Sequence, residues 1–198
     1  MSQVDSEAEL LGRLRSGDEE AFVTLVDRYQ MPLLRLARSF VPSQAVAEEA
    51  VQDTWLGVVR GVDRFEGRSS LKTWLFQILA NRARSAGAQE RPDAPVESLH
   101  SVDPDRFDSQ GRWADPVEQW LDQREDRLEA AAWSPILKAA LDTLPERQRQ
   151  VILLRDVEEL SNGDVCSVLG ISGGNQRILL HRGRARMRTI LETEMKKV

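Results

Sequence analysis

The sequence predicts an all-α protein of two small helical domains joined by an acidic, largely irregular linker. Three observations lead there. Apolar residues recur at three- and four-residue steps almost throughout, with no strand-like alternation and no Asn-Gly hairpin pair. Between two such stretches lies a run broken by Pro92, Pro95, Pro104, Gly111 and Pro116, where apolar residues are sparse. The charge is also uneven. Residues 1–91 hold 12 basic and 13 acidic side chains, residues 92–133 hold 4 and 11, and residues 134–198 hold 11 and 8.

In the first domain, 1–91, Phe22, Leu25, Val26, Tyr29, Leu33, Leu36, Ala37 and Phe40 mark the apolar stripe of a helix. Gly17-Asp18-Glu19-Glu20 starts it, since acidic groups suit the positive end of the helix dipole. Pro32 predicts a kink or break, and Pro42-Ser43 ends the run. Ser43 can cap a helix from Gln44 to about Val62, with Val46, Ala50, Val51, Thr54, Val58 and Val62 inward. Arg64 to Ser70 reads as a polar loop centred on Gly67. Ser69 or Ser70 then caps a helix through Leu71, Trp74, Leu75, Ile78, Leu79 and Arg82.

The linker, 92–133, regains helical character from Pro116 to Trp133, with Pro116 suited to a first turn. In the second domain, 134–198, helices are predicted near Pro135–Leu144, Pro145–Asp156, Ser161–Leu169 and Gly173–Glu194. The last two form a helix-turn-helix. Ser161 caps the first, and Asp164 three residues on gives a capping-box pattern. Val165, Val168 and Leu169 face inward, Gly170 makes the tight turn, Ile171 packs back, and Ser172 caps the second helix. That helix carries Asn175, Gln176, Arg177, His181, Arg182, Arg184, Arg186 and Arg188. Amide side chains near its start can pair with adenine in a major groove, and the arginines suit phosphates. The other reading of the same row is a solvated basic helix.

Composition narrows the function. Hydrophobic residues make up 41 % and charged residues 30 % of the chain, as in soluble globular proteins. No apolar run reaches the ~18–20 residues of a membrane span, and Met1 to Leu14 lacks the basic-then-apolar order of a signal peptide. Cys166 is the single cysteine, and His100 and His181 are far apart. A disulfide framework and a cysteine zinc site within the chain are therefore excluded, and a reducing, cytoplasmic location is expected. Cys166 reads as a small core residue. No metal cluster, phosphate loop or nucleophile motif points to a cofactor or to an enzyme. The net charge of −5 hides a basic C-terminal domain, and for nucleic-acid binding the distribution matters more than the sum.

With these elements placed, nearly the whole chain resembles the sigma-70 family of bacterial RNA polymerase sigma factors, in its extracytoplasmic-function group. Gly17-Asp18-Glu19-Glu20-Ala21-Phe22 resembles the opening of the family's region 2. Ala47-Glu48-Glu49-Ala50-Val51-Gln52-Asp53-Thr54-Trp55 resembles its core-binding helix. Arg64-Phe65-Glu66-Gly67-Arg68-Ser69-Ser70-Leu71-Lys72-Thr73-Trp74-Leu75 resembles the promoter-melting segment. Leu144-Pro145-Glu146-Arg147-Gln148-Arg149 and the helix-turn-helix resemble region 4.

The resemblance implies a promoter-specificity subunit that binds core polymerase, recognises minus-35 and minus-10 elements and melts DNA. Glu49, Gln52, Asp53 and Trp55 would dock on the clamp helices of the largest polymerase subunit, and region 4 on the flap of the second-largest. Arg64, Phe65, Glu66, Arg68, Ser69, Ser70, Lys72, Trp74, Asn81 and Arg82 would serve the minus-10 element. Phe65 and Trp74 offer stacking surfaces there, although core packing is the favoured reading of Trp74. Ser172, Asn175, Gln176, Arg177, His181, Arg182 and Arg184 would serve the minus-35 element. The acidic linker would mimic nucleic acid in the polymerase channels, or merely solubilise. An anti-sigma factor is a further partner common in the family. Gly173-Gly174-Asn175-Gln176 departs from its pattern: Gln176 stands where an aliphatic is usual, and Ile178 and Leu179 stand at polar positions. Ser85-Ala86-Gly87-Ala88 also departs, which weakens the upstream contact. A stand-alone helix-turn-helix regulator is the alternative, which leaves the tryptophan-bearing melting segment unexplained.

Overall fold

The computed structural model of the chain describes residues 7–90 and 127–195. The predicted linker over 92–126, with His100, lies outside them. Eight helices make up the described residues, among which there is no strand.

Helix α1, Glu7–Arg15, was not predicted. It buries Leu10 and Leu14 and is tied to distant backbone. Arg15 donates to the carbonyls of Val62 and Phe65, and the Glu7 carboxylate accepts from the Leu71 amide. Gly17, at φ +76°, turns the chain. Asp18 then caps α2, Glu19–Ala37, accepting from the amides of Glu20 at 2.9 Å and Ala21 at 3.2 Å. Arg13 donates to the same carboxylate at 2.8 Å, and these bonds hold Asp18 below the usual carboxylate range. Of the kink or break expected at Pro32, the break does not occur: α2 runs through it, with Leu25, Leu33, Leu36 and Ala37 buried on both sides. Burial of that stripe outweighs the one backbone hydrogen bond a proline removes.

Helix α3, Gln44–Gly61, is capped by Ser43 and buries Ala47, Ala50, Val51, Thr54 and Val58. A 3-10 turn over Val62–Arg64 and a loop with Gly67 at φ +72° lead to α4, Leu71–Glu90. Ser70 Oγ caps it, accepting from the Thr73 amide at 3.1 Å. α4 continues past the predicted end near Arg82. Gly87 makes this workable, because a Cβ there would lie 2.7 Å from the Phe40 carbonyl oxygen.

Two helices were expected across Trp133–Pro135; the structure has one, α5, Arg127–Asp142, with Pro135 inside it. α6, Glu146–Ile152, follows Pro145 and widens into a π-helical turn over Leu153–Val157. Glu159 closes this segment at φ +56°, a left-handed conformation unusual for a residue with a side chain. α7, Asn162–Leu169, and α8, Gly173–Met195, complete the chain.

Buried residues of both halves belong to one apolar cluster, running from Leu25, Phe76 and Leu79 to Leu154, Val165 and Leu169. Polar bonds also span the halves. Gln150 Nε2 donates to the Ser39 carbonyl at 3.3 Å. No described helix is long and apolar enough to cross a membrane.

Candidate nucleic-acid interface

The α7–α8 unit forms as its sequence predicts, because each boundary is set locally. Ser161 Oγ accepts from the Asp164 amide at 3.1 Å and donates to the Asp164 carboxylate at 2.6 Å. Gly170 takes the left-handed conformation, φ +65° and ψ 41°, that ends α7. Ser172 Oγ accepts from the Asn175 amide at 3.2 Å and so opens α8. Gly183 brings α8 onto α6, since a Cβ there would lie 2.9 Å from Ile152 Cγ1.

The side chains of α8 then sort by depth. Arg177 is exposed, its Nε donating to the Gly173 carbonyl at 3.3 Å. Arg182 and His181 are half-buried. Burial, with Arg182 and Arg184 beside it, pushes the His181 imidazole below its ordinary value. Arg184 forms a two-pronged pair with Asp156, at 3.0 and 2.6 Å, which raises its pKa and braces α8 against the segment after α6. Gln176 requires a correction. It is 0 % exposed, and neither its Oε1 nor its Nε2 has a hydrogen-bond partner. In this conformation it faces the core and reads no base. Asn175 is half-buried with its Oδ1 likewise unpaired. Cys166 is half-buried rather than fully inward.

The loop before α4 departs from expectation at one aromatic. Phe65 is 7 % exposed and packs on Trp74, ring centroids 4.9 Å apart, so it offers no open stacking face. Trp74 is half-buried, and Gly61 lets it lie close: a Cβ there would come within 3.2 Å of its ring. The polar groups of the loop do reach solvent. Arg64 is exposed and donates to the Arg60 carbonyl, and Glu66 pairs with Arg68 at 3.1 Å. Ser69 is half-buried and Ser70 is exposed but engaged as a cap. Asn81 and Arg82 are exposed on α4.

Lys72 and Arg84 sit against the other half. Lys72 Nζ lies 2.5 Å from the Glu158 carbonyl oxygen and 3.2 Å from its carboxylate, which also holds Arg35 at 3.3 Å. Arg84 Nη2 donates to the carbonyls of Val168 at 3.4 Å and Leu169 at 3.3 Å, the unpaired end of α7. Burial holds its pKa below the ordinary arginine value. Glu158 was not singled out from sequence, and Val168 and Leu169 were read only as inward-facing residues, not as partners of Arg84.

On α3, Glu49, Gln52 and Asp53 form one exposed row. Trp55 lies beside it, half-buried, its Nε1 donating to Gln30 Oε1 at 2.6 Å and its ring edge-on to Phe22 at 5.9 Å. Sequence reasoning missed Leu56 and Val59, which continue the row outward at 52 % and 58 % exposure. Their spacing from Gln52 and Trp55 was the available clue. The row is acidic, and Leu56 and Val59 leave apolar area in water beside it. Among the described residues, no group of three or more His, Cys, Asp or Glu could hold a metal ion.

Comparison with known proteins bears on these surfaces. Residues 25–91 match the family described as sigma-70 region 2, and residues 135–187 match sigma-70 region 4. The extracytoplasmic-function RNA polymerase sigma-E factor of Escherichia coli is 27 % identical over 184 residues, 93 % of each chain. That of Haemophilus influenzae is 26 % identical over 184 residues, 93 % of this chain and 94 % of its own. Among solved structures, CnrH in complex with the cytosolic domain of CnrY superposes with a TM-score of 0.58 at 25 % identity, over 96 % of this chain and 99 % of that one. The sigma factor RpoE of Bartonella quintana, in complex with the anti-sigma factor NepR, gives 0.51 at 27 % identity, over 85 % and 97 %.

Proposed function

The chain belongs to the sigma-70 family of RNA polymerase sigma factors, and from that premise we propose how its surfaces divide the work of promoter recognition. The α3 row of Glu49, Gln52 and Asp53, with Trp55 behind it, docks on the clamp helices of core polymerase. Arg64, Glu66, Arg68, Ser69 and Ser70 line the place where a minus-10 base is held once unstacked, with Asn81 and Arg82 along the backbone. Phe65 and Trp74 support this loop from beneath. Lys72 joins the set when its pair with Glu158 opens.

Residues 134–198 form the minus-35 reader and rest on the polymerase flap. Arg177, His181 and Arg182 meet the duplex, while Ser172 and Arg184 hold α8 in position. Most binding energy comes from phosphates and falls with salt. Phosphodiester chemistry belongs to the polymerase, and the chain works beside it in the cytoplasm. The Bartonella quintana relative, in complex with an anti-sigma factor, supports an anti-sigma partner.

The observation that carries this reading is the coexistence, in family order, of an acidic docking row on α3 and a capped basic helix-turn-helix at α7–α8. A stand-alone regulator accounts for the second alone. Reconstitution with bacterial core polymerase on a promoter library tests it. Initiation from a defined subset is expected, and loss of core binding in Glu49→Lys/Asp53→Lys. No initiation from any promoter refutes the proposal.

A further inference from the structure

Between Gly173 and Leu191 helix α8 contains five arginines and no acidic residue, yet its outward face is apolar in the second turn. Ile178 is 45 % exposed. Gly174, one turn earlier, and Arg177 are exposed with it, and Arg182 follows one turn later, half-buried. The opposite face holds buried Gln176, Leu179 and Gly183. An exposed, branched aliphatic has lower helix propensity than the arginines around it and leaves apolar area in water. Its position in the second turn of α8 is where such helices reach base edges.

The chemistry of that contact is narrow. Ile178 has no group to donate or accept a hydrogen bond. In a major groove the apolar feature of a base pair is the C5-methyl of thymine. A Cβ on Gly174 would meet nothing within 4 Å, so the helix presents bare backbone one turn before Ile178, and the groove wall can approach closely there. The surrounding arginines complement the phosphates on either side of the groove. We propose that Ile178 is a specificity-determining residue that packs on a thymine methyl group in the minus-35 duplex. This rests on the sigma-factor reading of α8, and it moves base discrimination from Gln176 to the side chain two positions on.

The test uses the chain assembled with core polymerase and a pool of promoter duplexes randomised over the minus-35 segment. The selected sequence is determined, and each thymine in it is then replaced singly by deoxyuridine, which removes only the methyl. At one position the wild-type holoenzyme is expected to bind about three- to fivefold more weakly. Ile178→Ala is expected to bind thymine and deoxyuridine there equally, and Ile178→Val to keep the preference. A selected segment without thymine, indifference to every methyl, or the same deoxyuridine loss in Ile178→Ala overturns the inference alone. A holoenzyme that initiates from no member of the pool overturns the sigma-factor reading and this inference with it.

Discussion

Replacing Gln176 with leucine is expected to make the protein more stable. Its side chain is 0 % exposed, and both polar atoms of its amide lack partners. A buried polar group without a hydrogen bond costs about 1–3 kcal/mol, because the bonds it made with water are not replaced. Leucine has similar volume and no polar atom, but it branches where glutamine is straight, and repacking takes back up to ~1 kcal/mol. A net gain of about 1–2 kcal/mol remains. For a chain of this size each kcal/mol moves the melting temperature by about 2–4 °C, so a rise of about 2–8 °C is predicted. Thermal and urea unfolding followed by circular dichroism measure it. Gln176→Glu, which buries a charge in the same place, is expected to melt far lower. The holoenzyme carrying Gln176→Leu should select the same minus-35 sequence as the wild type. An unchanged or lower melting temperature, or an altered selected sequence, would refute the reasoning, since either places the amide against something that needs it.

Glu158→Gln keeps shape but removes the charge between Arg35 and Lys72. Because both cations are partly solvated, the loss should be about 1–2 kcal/mol, read as a lower urea midpoint and shrinking at high salt. Glu159→Gly removes the penalty of a side chain at φ +56° and should stabilise by about 1 kcal/mol; a lower midpoint would count against that strain. The depressed pKa of His181 means that the folded protein binds this proton less readily than the unfolded chain. Its contribution to stability is complete above about pH 6.5 and is lost as pH falls through the lower folded-state value. The slope of unfolding free energy against pH below neutrality should therefore flatten in His181→Asn.

What could be read from sequence follows how local each feature is. The α7–α8 unit depends on Ser161, Gly170 and Ser172 acting on their own neighbours, so its boundaries were legible. The buried position of Gln176 was also encoded, since it shares a helical face with Leu179 and Gly183. An amide at the start of a presumed reading helix nevertheless invited a DNA role. Helix α1 was not legible, because its nine residues are held by bonds from Arg15 and Glu7 to backbone around residues 62–71. Pro32 and Pro135 misled in the same sense: a proline's local cost is visible in sequence, whereas the burial that offsets it is not. Nothing in the loop around Phe65 says which way its ring turns. The pairing of Lys72 with Glu158 spans 86 positions and has no local trace.

That pairing sets up a competition. A lysine ammonium seated on Glu158 cannot neutralise a phosphate at the same moment. On the proposed role of Lys72 at the promoter, the paired arrangement and the DNA-bound arrangement exclude each other. Apparent affinity for DNA equals the intrinsic affinity multiplied by the fraction of molecules already released. Any partner that binds only the released form raises that fraction and so raises DNA affinity without touching DNA. The free subunit would then be a poor ligand for the many non-promoter sites of a genome, and promoter binding would be conditional on such a partner.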